Sequence, residues 1–148
     1  MWAASQTKKK QYELDTLFDG KNELKLLIMN VEAFSTKKGL DFAHSFLNML
    51  EGKALLGIDE STTIKNPTAK RTKNILTLGN LATYRRILTG SPVTKSPLDL
   101  YTQCMFLDKK HLGLDSYYSY RARYAHMVKR NFGGRQVQIV DSYRRLDE

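Results

Sequence analysis

Leu55-Leu56-Gly57-Ile58-Asp59-Glu60-Ser61-Thr62 and, further on, Ile87-Leu88-Thr89-Gly90-Ser91-Pro92 decide how this chain reads. Each is a short apolar run that stops abruptly in acidic, small or hydroxylated residues, the pattern of a buried strand running into a loop. In an open parallel sheet, ligands sit outside the carboxyl ends of the strands. An Asp-Glu pair at one such tip can hold a divalent cation and polarise a water. A Thr-Gly-Ser loop at the next tip can respond to what is bound there, Gly90 allowing backbone geometry that other residues resist.

Working outward, Leu24 to Val31 is a nearly continuous apolar run and reads as another buried strand. Leu40, Ala43, Leu47 and Leu50 recur at helical spacing, and Gly52 stops that helix. Asn66-Pro67 signals a turn, with Thr68 placed to cap a helix reaching about Leu78. Ser96-Pro97 reads as N-cap and first helical position of a helix ending near Leu107. A further helix is expected over Ser116 to Lys129, with Tyr117, Tyr120, Tyr124 and Val128 on one stripe. Gly133-Gly134 breaks the pattern, and Arg135 to Val140 alternates as a half-buried strand does. Strand and helix alternating in this way predict an α/β fold with a parallel sheet and crossover helices. Residues 1–23 form a polar, basic N-terminal segment ahead of a single domain over 24–148.

Bulk properties narrow the partners. The chain has 148 residues, 24 Lys+Arg against 15 Asp+Glu, and a net charge of +9. That excess favours a polyanion, nucleic acid first. Lys65, Lys70, Arg71 and Lys73 follow the acidic tip, and Arg121, Arg123, Lys129, Arg130 and Arg135 are interleaved with tyrosines near the C-terminus. Such cations make phosphate contacts and aromatics stack on bases, although the helical spacing of the tyrosines favours a core stripe. No run is long and apolar enough for a membrane span, and the N-terminus lacks a signal-peptide stretch. One cysteine, Cys104, excludes an internal disulfide and fits a reducing, cytoplasmic setting. Cys104 lies in an apolar helix as a packing residue. His44, His111 and His126 lack the spacing of a zinc site, and no Gly-x-Ser-x-Gly elbow is present. A metal nuclease built on Asp59 and Glu60 would need more converging carboxylates than this stretch offers.

Taken in order, these segments resemble the first motor lobe of superfamily 2 helicase-type ATPases, closest to the Swi/Snf-like group as found in bacteriophage DNA helicases. Asp59-Glu60-Ser61-Thr62 looks like the Walker B box, followed by Ile64-Lys65-Asn66. Leu88-Thr89-Gly90-Ser91-Pro92 looks like the motif that couples hydrolysis to translocation. Pro97-Leu98-Asp99-Leu100-Tyr101 and Phe106-Leu107-Asp108 are similar to the helix that follows, and Leu26 to Ser35 to the upstream strand and its DNA-facing loop. The resemblance implies a partial RecA-like lobe, three-layered α/β/α, with ATP and Mg2+ as cofactors of the complete enzyme and DNA as partner. Asp59 would bind the metal and Glu60 activate the water, while Thr62, Thr89, Gly90 and Ser91 would face the nucleotide. Asn30, Lys65, Arg71 and Thr94 would face DNA.

Three departures accompany the resemblance. The box ends in Thr62 where His is frequent, and Ser91 replaces the usual Thr. The third is larger: no Gly-x-x-x-x-Gly-Lys-[Ser/Thr] loop exists to cradle phosphates. Gly20-Lys21 and Gly52-Lys53 are followed by Asn22 and Ala54, and Asp15 and Leu47 stand where the earlier Gly is required. A second lobe with arginine fingers is also missing. The expectation is the back portion of lobe one, truncated on both sides and unable to hydrolyse ATP unaided. The alternative is a non-enzymatic basic module for DNA binding or assembly with the remaining helicase portions.

Overall fold

The helical spacing around Leu40–Leu50 produces α2 (Lys37–Met49), whose Thr36 hydroxyl accepts a hydrogen bond from the Gly39 amide at 3.1 Å. The computed structural model describes residues 8–19, 24–114 and 116–147. The two ends of the basic N-terminal segment, residues 1–7 and 20–23, lie outside the described residues, as does the Gly20-Lys21 pair. Two compact units emerge, each made of two stretches of chain: Met1–Leu56 with Ala69–Arg85, and Gly57–Thr68 with Arg86–Glu148.

In the first unit, α1 (Lys8–Phe18) ends with the Phe18 ring edge-on to Phe42 and Phe46 of α2, centroids 5.7 and 6.3 Å away. A short 3-10 helix, Val31–Ser35, is capped by Asn30, whose Oδ1 accepts from the Glu32 amide at 3.0 Å. It packs so closely on α2 that a Cβ at Gly39 would lie 2.2 Å from the Ala33 carbonyl oxygen. α3 (Lys70–Gly79) turns Thr72, Ile75, Leu78 and Gly79 inward. The Asn74 amide donates to the Phe34 carbonyl at 2.6 Å, and Arg71 pairs with Glu32. Ala43, Leu47, Ala54, Leu78 and Ala82 form the core, with Met29, Phe34, Leu40 and Leu50 against it. Ala69 takes the N-cap position where Thr68 was expected. Thr68 instead directs its amide and hydroxyl to Asn66 Oδ1, at 2.9 and 2.8 Å.

The apolar run from Leu24 departs from expectation. Residues 24–30 belong to no helix and to neither sheet, and they alternate between exposed and half-buried positions. Leu24, Leu26 and Ile28 are largely exposed while Met29 packs on the core. A continuous apolar run predicts burial on both faces; here only one face has anything to pack against.

β1 (Leu55–Ile58) and β2 (Tyr84–Ile87) form a two-stranded sheet. The Tyr84 amide donates to the Ala54 carbonyl at 3.1 Å and the Leu88 amide to that of Ile58 at 2.8 Å. The two numberings advance together, so the strands are parallel, and α3 lies in the connection between them. Leu55 and Gly57 on one strand, and Tyr84, Arg86 and Leu88 on the other, alternate onto exposed faces.

The second unit begins past β1 with a 3-10 helix, Ser61–Ile64. Another, Pro97–Asp99, opens with Pro97 and leads into α4 (Leu100–Leu107); the helix expected from Ser96-Pro97 thus starts as a 3-10 turn, and Ser96 makes no side-chain capping bond. Leu98, Tyr101, Tyr120 and Ala125 make this unit's core, joined by Met105, Tyr117, Tyr124, Met127 and Val140. The helix expected over Ser116 to Lys129 is shorter: α5 spans Tyr117–Tyr124, capped by the Ser116 hydroxyl. The chain then enters β3 (Ala125–Phe132), which pairs antiparallel with β4 (Arg135–Tyr143). Gly133 and Gly134 have φ of +55° and +83°, which a two-residue hairpin turn between right-twisted strands demands. Val128 is therefore a strand residue, and Arg135–Val140 joins a hairpin and not the parallel sheet. The fold is mixed α/β, with a small two-stranded parallel sheet. Among the described residues no helix is long and apolar enough to cross a membrane.

Candidate functional site

The acidic tip and the Thr-Gly-Ser loop both lie in the second unit, at the ends of β1 and β2. Asp59 and Glu60 are exposed, and Asp59 Oδ1 accepts from the Glu60 amide at 3.0 Å. Glu60 has φ 51° and ψ 61°, a left-handed conformation that costs a non-glycine residue about 1–2 kcal/mol. The sharp turn sends Ser61 inward. Its amide donates to the Leu88 carbonyl at 3.0 Å, tying the acidic tip to the end of β2.

Ser61 is fully buried, and its hydroxyl donates to Gln103 Oε1 at 2.6 Å. The Gln103 amide nitrogen donates in turn to the carbonyls of Pro92 and Asp99, at 2.7 and 2.8 Å. Beside it the Thr102 hydroxyl donates to the Ile64 carbonyl at 2.5 Å. A buried amide that uses donor and acceptor ends together holds its neighbours in one arrangement. Gln103 and Thr102 thus fasten the loop after β1 and the loop after β2 onto α4. Sequence reasoning missed both. The available signal was two adjacent polar residues inside the otherwise apolar Leu100–Leu107 helix.

In the second loop, Thr89 Oγ1 accepts from the Ser91 amide at 3.2 Å, and the Ser91 hydroxyl donates to the Val93 carbonyl at 2.9 Å. Gly90 has no positive φ and open space where a Cβ would stand, so the special backbone geometry expected of it is not used. Thr62 is half-buried, and its carbonyl accepts from the Lys65 amide at 3.2 Å.

Lys65 and Thr94, both expected to face DNA, are brought to each other. Lys65 Nζ donates to Thr94 Oγ1 at 2.5 Å and lies 3.9 Å from Asp99 Oδ2. The same Asp99 oxygen accepts from the Thr94 amide (3.1 Å), the Thr94 hydroxyl (2.8 Å) and the Lys95 amide (2.9 Å). Burial pulls the Asp99 carboxyl upward, but the Lys95 and Thr94 hydrogen bonds and the Lys65 charge outweigh it and hold it below its usual value. The charge of Lys65 is accordingly spent on ordering the loop. Arg71 and Asn30 belong to the first unit, where Arg71 pairs with Glu32 and Asn30 caps the 3-10 helix.

As a cation site the tip is sparse. Asp59 offers one exposed carboxylate with Glu60 adjacent, while the Ser61 hydroxyl is committed to Gln103. No group of three or more His, Cys, Asp or Glu side chains converges among the described residues. Magnesium is commonly held by one or two carboxylates plus substrate phosphates. Asp59 fits that pattern provided the phosphates come with a nucleotide gripped elsewhere.

The remaining candidates are structural. Tyr120 is buried, donates to the Pro97 carbonyl at 3.1 Å, and has its hydroxyl pushed up to about 12 by desolvation. Burial likewise raises the Cys104 thiol, which disfavours the thiolate a nucleophile needs. No family model matches this chain, no curated protein matches it, and no solved structure matches it.

Proposed function

We propose that this chain is the rear part of the first motor lobe of an ATP-dependent DNA translocase of the superfamily 2, Swi/Snf-like kind. In the complete enzyme Asp59 would hold the magnesium of bound ATP, and Glu60 would orient the attacking water. Thr89-Gly90-Ser91 would pass the state of the γ-phosphate to the DNA grip. The supporting observation is mechanical: the Ser61–Leu88 backbone bond and the Ser61–Gln103–Pro92 chain link the two loops. A displacement of the acidic tip has a short route into the Thr-Gly-Ser loop. A left-handed Glu60, held against its own preference at the edge of this network, is the kind of strain that gathers at functional sites.

The chain carries no phosphate-binding loop, so alone it should show no magnesium-dependent ATP turnover, with or without single-stranded DNA. Turnover that disappears in Glu60→Gln would overturn that expectation. The positive test mixes the chain with the product of an adjacent reading frame that carries a Gly-Lys-Thr loop. DNA-stimulated hydrolysis should appear and be lost with Glu60→Gln. A mixture that binds ATP but never hydrolyses it would reject the reading. The net charge of +9 favours one other reading, a non-enzymatic DNA-binding or assembly module. Salt-sensitive DNA binding without ATP affinity in any mixture would select it.

A further inference from the structure

The β3–β4 hairpin extends past the core it starts from. At its base Met127 and its cross-strand partner Val140 pack on the aromatic cluster of the second unit. Its outer four rungs are Lys129–Gln138, Arg130–Val137, Asn131–Gln136 and Phe132–Arg135. All eight residues are exposed, on both faces. A bare two-stranded ribbon is marginal in water and gains nothing for the core, so its outer half calls for another explanation.

Composition supplies one. The outer rungs hold three cations, three carboxamides, one phenylalanine and one valine, and no acid. The only acid on the paired strands, Asp141, sits at the inner end beside His126 (3.6 Å) and Arg130 (3.9 Å). From Ser116 to Asp147 the chain carries seven Lys and Arg against two Asp, a net +5 out of the whole chain's +9. Alternation puts Arg130, Phe132, Arg135 and Val137 on one face and Lys129, Asn131, Gln136 and Gln138 on the other. Guanidinium and carboxamide groups are the side chains that pair with guanine and adenine edges, and lysine and arginine neutralise phosphates.

We propose that the outer half of this ribbon enters the major groove of duplex DNA. A two-stranded ribbon fits a groove about 12 Å wide and about 8.5 Å deep. Four rungs at about 3.4 Å each span that depth. The deep, narrow major groove of A-form RNA does not admit it. One face and the flanking cations meet phosphates while the carboxamide face lies against base edges. This inference rests on the proposal that the chain works on DNA; it assigns the contact to Lys129, Arg130 and Arg135 of the C-terminal cation cluster, and not to Asn30, Lys65, Arg71 and Thr94, the residues that the helicase resemblance sets against DNA.

The test is fluorescence anisotropy of the full chain with a short B-form duplex and an A-form RNA duplex, between about 50 and about 200 mM salt. The variant Lys129→Ala/Arg130→Ala/Arg135→Ala is compared with Lys53→Ala/Lys109→Ala/Lys110→Ala, which removes the same charge from exposed lysines elsewhere. The ribbon variant should lose about tenfold or more in DNA affinity, and its salt slope should fall by about 2–3. The control should change little, and wild type should prefer DNA over RNA. Circular dichroism checks that both variants fold, and charge reversal by Arg130→Glu and Arg135→Glu should deepen the loss. If wild type binds no DNA, the DNA reading falls with this one. If wild type binds and the ribbon variant matches it, or the control weakens equally, only the ribbon assignment falls. Equal affinity for the RNA duplex, or a dimer that the ribbon variant dissociates while DNA binding is unchanged, would also overturn it.

Discussion

Two glycines with the same freedom on paper have opposite standing here. Gly39 sits where a Cβ would be driven into the Ala33 carbonyl, whereas Gly90 faces open space. Gly39→Ala should therefore lower unfolding stability by about 1–3 kcal/mol, and Gly90→Ala should leave it within about 0.5 kcal/mol, as read by chemical denaturation. Glu60 adds a third case. Replacing it with Gly relieves the left-handed strain but enlarges the unfolded ensemble, so Glu60→Gly should stay within about 1 kcal/mol of neutral. A loss well above that would mean the carboxylate itself holds the turn. Asp99 sets a pH dependence. Its folded-state pKa lies below the ordinary 3.8, so its contribution is present above that value and is lost as pH falls through the depressed one. Asp99→Asn should flatten the acid limb of the stability profile below about pH 4, while leaving the neutral region destabilised.

At the scale of elements, the network around α4 carries the most weight. Gln103→Ala strips the Ser61 hydroxyl of its acceptor and removes the side-chain donor to the Pro92 and Asp99 carbonyls. A buried polar group left unpaired costs about 1–3 kcal/mol. We expect a loss of at least that size in denaturation, together with faster amide exchange at Ser61, whose bond to Leu88 depends on the same turn. Exchange at Ser61 equal to wild type would show that the two loops are held independently. Much of this level was legible in advance. The strand ends at Asp59 and Thr89, the Leu40–Leu50 helix and the Pro97 start follow from local pattern, because apolar spacing and capping chemistry act within a few residues; the Thr36 cap and the first turn from Lys37 to Gly39, a stretch that reads as a break, do not. The same local pattern overextends the C-terminal helix to Lys129. Tyr117, Tyr120 and Tyr124 are helical in spacing and in fact, but Val128 continues that spacing by coincidence after the chain has turned into a hairpin. The Gly133-Gly134 turn closes that hairpin at its far end.

At the scale of the whole molecule, large apolar side chains stand exposed in both units. Leu24, Leu26, Ile28, Leu55 and Tyr84 are all more than half exposed in the first unit, and Leu88 is 59% exposed in the second. Exposed apolar surface of this extent invites association. The purified chain should bind the dye ANS and self-associate as its concentration rises, and Leu26→Lys with Leu55→Lys should diminish both. Undiminished dye binding would place the sticky surface elsewhere. Local sequence determined that this is a mixed α/β chain with acidic and hydroxylated loops at two strand ends, since those features depend on neighbours in the chain. Tertiary structure alone decided that Gln103 joins the two loops, and that Lys65 is spent on Thr94 and Asp99. It also decided that Leu24–Asn30 has one bare face and that Lys129, Arg130 and Arg135 sit on a ribbon exposed on both faces. Each of these depends on which distant segment arrives opposite, and neither spacing nor composition encodes that partner.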